Sequence, residues 1–152
     1  MTIALKRPSD KQYVTWMGTK YGITVGQRES AGRMTVFESV VPAHQGPPIH
    51  VHHNEDEVIH VIEETYEFWL DGEITRIAPG HSIFLPRGVP HSFRVASDRD
   101  GRNVTILTPA GLEDFFLEAG NRQLQIPTDM PAVMELATRF GIEFKGPVDW
   151  AD

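Results

Sequence analysis

Three histidines and one glutamate, in two separated segments, have the residue types and spacing of a metal site. His50 and His52 are two residues apart in I-H-V-H, a stretch with the composition of a strand. Because side chains alternate along a strand, both imidazoles leave the same face, about 6 to 7 Å apart along the backbone. A polar turn follows at Asn54 to Asp56, and Glu57 then opens the apolar run V-I-H-V-I. A hairpin at this turn can return the Glu57 carboxylate beside the two histidines.

A fourth donor lies in a second segment, P-R-G-V-P-H, at residues 86–91. Its prolines and glycine indicate a turn that releases His91 at the start of the strand H-S-F-R-V. The chain has no cysteine, so a metal would have to be held by nitrogen and oxygen donors. Three imidazoles and one carboxylate suit a divalent transition metal, and this donor set does not choose among iron, nickel, manganese, cobalt, copper and zinc.

The assembled site has more than one interpretation. A five- or six-coordinate ion keeps one or two positions open for substrate, water or oxygen, and catalysis requires such a position. Zinc held tetrahedrally by all four residues would instead be closed and structural. The histidines could also be surface or core residues that bind no metal.

Both segments resemble the paired motifs of the cupin superfamily. The first motif there is H-x-H, three or four residues, then E, and the second is G, five residues, then P-x-G-x-x-H. The second motif is present here as Gly80, Pro86, Gly88 and His91. The run H-V-H-H-N-E-D-E followed by Y-E-F-W-L-D-G is similar to small single-domain cupins grouped with quercetin 2,3-dioxygenases.

This resemblance implies an activity and a role for each matching residue. It implies a metal-dependent oxidoreductase, a dioxygenase acting on a small hydrophobic substrate that is aromatic or enolisable. His50, His52 and His91 would be metal ligands, and Glu57 would be both a ligand and the catalytic proton acceptor. Strand alternation supports a hydrophobic substrate, because it places apolar residues on the faces that carry His91 and Glu57, so that the cavity should be mostly apolar. These residues are Ile59, Val61, Phe93 and Val95.

Two other functions stay open. In other single cupins the metal only polarises a carbonyl, which would make this protein a cyclase, isomerase or decarboxylase. A fold does not fix a function, so a binding or sensory module without chemistry is the third hypothesis.

Two positions depart from the cupin pattern. Glu64 stands where the first motif usually ends in glycine, which suggests a remodelled turn that leaves the ligands untouched. Val95 stands where the second motif usually continues to asparagine. Its side chain makes the cavity more apolar and argues against a carbohydrate-directed reaction.

Composition limits the classes of partner. The chain has 152 residues, a formal net charge of -7 and no cluster of basic residues, so nucleic-acid binding is not expected. The first residues contain only a short apolar run before charges, and no stretch is long enough to span a membrane. We therefore expect a cytoplasmic protein that acts on a small molecule.

The resemblance to cupins also implies a homodimer, in which the N-terminal strand joins the sheet of the neighbouring subunit. The alternative is that this strand is an edge strand of the monomer.

Many short strands separated by turns predict an all-β fold. The D-G pair at residues 71–72 indicates a hairpin, and no helical period occurs before residue 110. The antiparallel double-stranded β-helix, or jelly-roll barrel, is the architecture that the resemblance implies. We expect one cupin domain over residues 1–152, with a barrel core at about 33–108 and a helical extension at about 110–152.

Two short helices are predicted in the C-terminal extension. The first covers residues 111–119 and stops at Gly120, and the second is capped by Asp129 and ends at Gly141. Their apolar stripes are expected to pack against the barrel or a partner subunit rather than to form a ligand pocket. The aromatic residues of the closing segment I-E-F-K-G-P-V-D-W predict that it docks on the protein.

The remaining polar candidates receive structural interpretations. Strand alternation turns His53 and His60 away from the site, and His44 and His81 lie in turns. Glu38 shares a strand face with Met34, Val36 and Val40, and we expect it at a solvated rim rather than inside the barrel.

Overall fold

Two antiparallel β-sheets form the body of the protein in the computed structural model, which describes residues 5–150. The six-stranded sheet has the order β1-β2-β3-β10-β5-β8. Its strands are β1 (Gln12–Trp16), β2 (Thr19–Val25), β3 (Thr35–Val41), β5 (Asp56–Glu63), β8 (Ser82–Leu85) and β10 (Gly101–Thr108). The five-stranded sheet, in the order β11-β4-β9-β6-β7, contains β4 (Ile49–His52), β6 (Tyr66–Leu70), β7 (Glu73–Ile77), β9 (His91–Val95) and β11 (Ile142–Gly146). This confirms the predicted all-β jelly-roll class.

Part of the sequence-based interpretation concerns residues outside this range. Residues 1–4, which begin the short apolar run, and residues 151–152, which end the expected domain, lie outside the described residues. No helix within residues 5–150 is long and apolar enough to cross a membrane.

Alternation along β3 shows how the sheet separates core from solvent. Thr35, Phe37, Ser39 and Val41 are buried, and the residues between them are partly exposed. Glu38 therefore lies on the outer face, where its carboxylate accepts hydrogen bonds from Lys11 Nζ at 2.6 Å and from Arg102 at 3.3 Å. Glu38 is outside the barrel, as expected, and lies on the outer face of the sheet rather than at a rim.

Two hydrophobic cores result. One fills the barrel between the two sheets and consists of Val41, Ile59, Val61, Tyr66, Phe68, Leu85 and Val95. The other joins the six-stranded sheet to the C-terminal helices through residues that include Trp16, Phe37, Phe115 and Leu136. The Trp16 ring meets Phe115 edge to face, and its Nε1 donates a hydrogen bond to the Leu124 carbonyl at 2.8 Å. The helices are therefore packed on the barrel.

Both predicted C-terminal helices are present, as α2 (Glu113–Asn121) and α3 (Met130–Arg139). Gly120 does not end α2 as predicted. It lies inside the helix, one residue before the end. A Cβ at this position would come within 2.3 Å of Val14 and 2.8 Å of the Thr15 carbonyl. Glycine therefore permits close packing of the helix on β1. A four-residue helix, α1 (Gln27–Ser30), was not predicted.

Asp129 occupies the N-cap position of α3, although its carboxylate accepts a hydrogen bond from the Gln125 backbone N–H rather than from the helix.

The closing segment docks, as expected, and does so as a strand. After Gly141, the chain enters β11 and pairs with β4. In this position β11 supports the strand that carries His50 and His52.

Candidate metal centre

Three histidines converge between the two sheets. His50 and His52 lie on β4 and His91 begins the neighbouring strand β9, where His50 and His91 face each other in register. One ring nitrogen from each histidine lies within 4.8 Å of the others, and all three side chains are buried. The convergence predicted from the two sequence segments is therefore present.

Backbone carbonyls orient two of the three rings. His50 Nδ1 lies 2.8 Å from the Pro48 carbonyl, and His91 Nδ1 lies 3.2 Å from the Val89 carbonyl. A ring that donates through Nδ1 keeps a lone pair on Nε2. His91 Nε2 is buried and has no hydrogen-bond partner among the described residues. A buried ring nitrogen without a hydrogen-bond partner fits a metal ligand. In metal-binding histidines one ring nitrogen holds the metal, and the other donates its N–H to a carbonyl or carboxylate, as Nδ1 of His91 does here.

Glu57 reaches this group from the opposite sheet. It lies near the start of β5, and its carboxylate is 3.2 Å from His52 Nε2 and 3.9 Å from His91 Nε2. The side chain is buried, so Glu57 is placed to interact with both rings. Its role as a fourth ligand stays a prediction.

Burial and mutual charge set the protonation of the histidines. Burial, together with the neighbouring rings, holds the pKa of His50 well below its ordinary value. Burial also lowers the pKa of His91, against an opposing effect of Glu57. At His52, burial disfavours the charged ring, but the charge and hydrogen bond of Glu57 outweigh it and raise the pKa. His50 and His91 are thus neutral donors at neutral pH, while His52 retains affinity for a proton.

The interaction between His52 and Glu57 also determines the charge of Glu57. Burial alone would raise the pKa of this carboxyl, yet the charge and hydrogen bond of His52 lower it below the ordinary value. Glu57 is consequently ionised at neutral pH and can accept a proton or a cation.

The turn before His91 is fixed to the first motif. The Gly88 N–H donates to the His52 carbonyl at 2.8 Å, and Gly88 has a φ of 79°, which glycine adopts without strain. Arg87 donates to the Asp56 carboxylate from its backbone N–H and its guanidinium at 3.0 to 3.2 Å. These contacts couple the segment that carries His91 to the segments that carry His52 and Glu57.

A chamber of about 620 Å³ extends from the histidines into the protein. His50, His52 and Glu57 line one part of it. The rest is mainly apolar and includes Trp16, Phe37, Val41, Ile59, Phe93, Phe115, Phe116, Met130 and Phe144. No lysine or arginine occurs among the described residues that line it. The expected apolar cavity is present, with Ile59 and Phe93 at the wall and Val61 and Val95 in the core behind it.

Sequence reasoning missed part of this wall. Phe115 and Phe116 of α2 line the chamber as well as pack on the barrel, although the helices were expected only to pack. Tyr21 contributes from β2, whose sequence gave no chemical signal. The closing segment adds Phe144 and Trp150, and the Trp150 ring lies 4.9 Å from the Arg94 guanidinium. The aromatic composition of that segment was the one available signal.

The other histidines lie away from the site. Exposed His53 pairs with Glu143 at 3.0 Å, His60 contacts Ser82 at 2.8 Å, and His44 contacts Asp98 at 2.7 Å. None of the three belongs to the histidine group, as predicted. Glu64 adopts a φ of 66°, so the turn keeps the left-handed conformation that glycine favours, and the suggested remodelling is not seen at this residue.

Residues 36–107 match the family model described as the cupin domain. The matched segment makes up most of the barrel, so the barrel is similar in sequence to the cupin domain. The chain is also similar to quercetin 2,3-dioxygenase from Bacillus subtilis (strain 168), with 27% identity over 99 residues. That alignment covers 65% of this chain and 29% of the relative, so the similarity extends over less than a third of the longer protein.

Two solved structures share the fold. KdgF from Halomonas sp. has a TM-score of 0.65 at 16% identity, with 74% of this chain and 99% of that chain covered. A RmlC-like cupin from Shewanella frigidimarina NCIMB 400 has a TM-score of 0.63 at 19% identity, with coverage of 75% and 96%. At these identities the comparison concerns architecture, and function must be argued from the site.

Proposed function

We propose that the protein is a metal-dependent oxidoreductase of the dioxygenase type, acting on a small hydrophobic compound that is aromatic or enolisable. The observation that carries the proposal is a group of three buried histidines, two of which, His50 and His52, line a large apolar chamber. The similarity to quercetin 2,3-dioxygenase supports it. A chamber without basic residues also favours a hydrophobic substrate over a sugar phosphate.

His50, His52 and His91 would hold a divalent ion of iron, nickel, manganese, cobalt, copper or zinc, with Glu57 as a further ligand. When bound, such an ion supplies Lewis acidity and, for the redox-active metals, one-electron chemistry at positions open to substrate. The protein contributes the orientation of the rings, through the carbonyls of Pro48 and Val89. Its apolar walls exclude water from the reacting groups.

Glu57 would accept the proton of the substrate hydroxyl at a carboxylate oxygen. It is ionised at neutral pH, buried, and next to the histidines, which are the conditions that proton transfer requires. His52 lies 3.2 Å from the same carboxylate and would stabilise its charge before the transfer. Loss of the hydroxyl proton leaves an electron-rich enolate or phenolate in the chamber.

Oxygen consumption tests this proposal. The metal-free protein would be loaded separately with iron, nickel, manganese, cobalt or copper and mixed with flavonols and polyketide-like enols. We expect oxygen uptake with at least one metal and substrate, and its loss in the His91→Ala variant. Turnover under strictly anaerobic conditions would instead select a cyclase, isomerase or decarboxylase. Tight ligand binding without turnover would select a binding module.

We also propose that two copies of the chain form a homodimer. Within the described residues β1 pairs with β2 of its own chain, as an edge strand. The dimer interface that we propose is therefore not β1 but the outer face of the six-stranded sheet. An apolar row crosses this face and consists of Val36, Ile106, Val58 and Phe84. Ile106 and Phe84 are 38% and 56% exposed. Light scattering should show a dimer that Phe84→Lys dissociates and Met134→Lys, at an exposed site on α3, does not.

A further inference from the structure

Two buried side-chain atoms beside the histidine group lack a hydrogen-bond partner, and they belong to residues three positions apart. They are Nδ1 of His52 and Oε1 of Glu55. Within the described residues, a third such atom is Nε2 of His91, for which a metal ion would account. Buried polar atoms are almost always paired, so the two atoms on His52 and Glu55 require an explanation of their own.

Glu55 lies in the turn that leads from β4 to β5. Alternation along β5 places it on the same face as Glu57, and the two residues are 5% and 6% exposed. Asp56, between them, turns to the surface and pairs with Arg87. Glu55 is not among the described residues that line the chamber, so contact with a substrate does not account for its burial.

The turn that carries Glu55 is anchored on both sides. Before it, the His53 backbone N–H donates to the Gly141 carbonyl at 2.9 Å. After it, the Asp56 carboxylate accepts from the Arg87 backbone N–H at 3.0 Å. These bonds fix the backbone of the turn, so the Glu55 side chain is held in the interior.

His52 differs from the other two histidines in the state of its Nδ1. The carbonyls of Pro48 and Val89 accept from Nδ1 of His50 and His91, whereas Nδ1 of His52 has no partner among the described residues. A neutral ring that binds a metal through Nε2 carries its proton on Nδ1. At His52 this N–H would be buried, and a buried donor without an acceptor is destabilising.

Glu55 is close enough to His52 for their charges to interact. Burial raises the pKa of the Glu55 carboxyl, and the charge of His52 opposes this effect more strongly than that of Arg87 does. Glu57 cannot serve as the acceptor for Nδ1, because its carboxylate lies at the opposite ring nitrogen, 3.2 Å from Nε2.

We propose that Glu55 is a positioning residue for His52, and that its Oε1 accepts a hydrogen bond from the Nδ1–H when Nε2 of His52 binds a metal ion. The bond fixes the orientation of the ring and makes its Nε2 a stronger donor. Because the acceptor is a carboxylate, the bond is stronger than those that a neutral carbonyl makes to the other two rings. This inference rests on the metal site of the proposed function and not on the reaction.

Proton NMR of the cobalt(II)-loaded protein tests this hydrogen bond. Unpaired electrons of the ion shift the N–H resonances of its imidazole ligands away from the rest of the spectrum, and exchange in heavy water identifies them. We expect three such resonances in the unsubstituted protein. In Glu55→Gln one of them should move, because an amide oxygen is a weaker acceptor than a carboxylate. In Glu55→Ala the same resonance should be lost by exchange with water, and the other two should remain.

The affinity for cobalt provides a second measurement. Glu55→Ala should weaken binding by about 10- to 100-fold, the cost of losing an outer partner of a metal ligand. Glu55→Gln should weaken it less, because the amide keeps an oxygen acceptor. Glu63→Ala and Glu63→Gln make the same changes at an exposed site on β5 and should alter neither the affinity nor the spectrum. Glu55→Gln preserves the size of the side chain, so it provides the test if Glu55→Ala does not fold.

Three results would overturn the inference: unchanged N–H resonances in both Glu55 variants, equal changes in all three resonances, or no cobalt uptake by the unsubstituted protein. Weaker binding with unchanged resonances would mean that Glu55 supports only the fold. Oxygen uptake together with unchanged resonances would contradict this inference and leave the proposed function intact. The expected spectral changes in a protein that takes up no oxygen would support the role of Glu55 and contradict the dioxygenase.

Discussion

The carboxylate of Glu57 lies 3.2 Å from Nε2 of His52, although the two side chains come from opposite sheets of the barrel. This contact joins the two sheets at the histidine group and shifts the pKa of both partners. It raises the pKa of His52 and lowers that of Glu57. If the proposed function is correct, the binding of a metal and the acceptance of a proton would be linked through this buried pair.

Glu57→Gln and His52→Ala should separate these two roles. We expect Glu57→Gln to retain more metal than His52→Ala while losing activity, because an amide oxygen can still coordinate but cannot accept the proton. Elemental analysis of the dialysed variants, alongside oxygen uptake, measures both quantities. Equal metal loss in the two variants would show that Glu57 has no role beyond ligation.

Removal of a histidine ligand should weaken metal binding more than a change outside the site. His91→Ala is expected to lower affinity by more than the roughly 10- to 100-fold cost of losing an outer partner of a metal ligand. His60→Ala, which removes an outward-facing histidine on β5, is the control and should bind metal normally. Competition with a coloured chelator gives both affinities, and similar losses in the two variants would contradict the assignment.

Metal uptake at neutral pH should release a proton from His52. Glu57 raises the pKa of His52 above its ordinary value, whereas His50 and His91 have lowered pKa values and are already neutral. Since the metal requires an unprotonated imidazole, apparent affinity should fall as pH decreases through the raised pKa of His52. Calorimetry at one pH in buffers of different ionisation enthalpy measures the protons released. Glu57→Gln should release fewer, and equal release by the two proteins would contradict this explanation.

Glu113 should stabilise the fold rather than the site. Its buried carboxylate accepts hydrogen bonds from the Thr35 hydroxyl at 2.6 Å, the Gln27 N–H at 2.6 Å and the Gly111 N–H at 2.8 Å. Glu113→Ala leaves these donors unpaired and should lower the free energy of unfolding by about 3 kcal/mol. Glu118→Ala, on the exposed side of the same helix, should cost less than about 1 kcal/mol. Urea denaturation compares the two, and similar losses would mean that the buried network contributes little.

The two segments that carry the histidines could be predicted because their sequence signals are local. Alternation along a strand determines that His50 and His52 share a face, and the proline and glycine residues before His91 mark the turn that positions it. These signals need no knowledge of distant contacts. The apolar wall beside the ligands, including Ile59 and Phe93, followed from the same alternation.

The remainder of the chamber depends on contacts between distant segments. Tyr21 and Trp150 reach it only because β2 pairs with β3 and because β11 pairs with β4, and a single sequence does not reveal such pairing. Gly120 shows the same limitation, since its role arises from contact with β1 rather than from helix termination. Local patterns predicted the convergence of the three histidines, whereas tertiary contacts determine the shape of the chamber.

X-ray absorption spectroscopy of the metal-loaded protein tests the central claim most directly. With cobalt or iron bound, the spectrum of the unsubstituted protein should show scattering from three imidazoles and a remaining shell of oxygen atoms. The His50→Ala protein should show at most two imidazoles or no bound metal. A metal in the unsubstituted protein that is surrounded by oxygen alone, or the absence of metal uptake at neutral pH, would contradict the account.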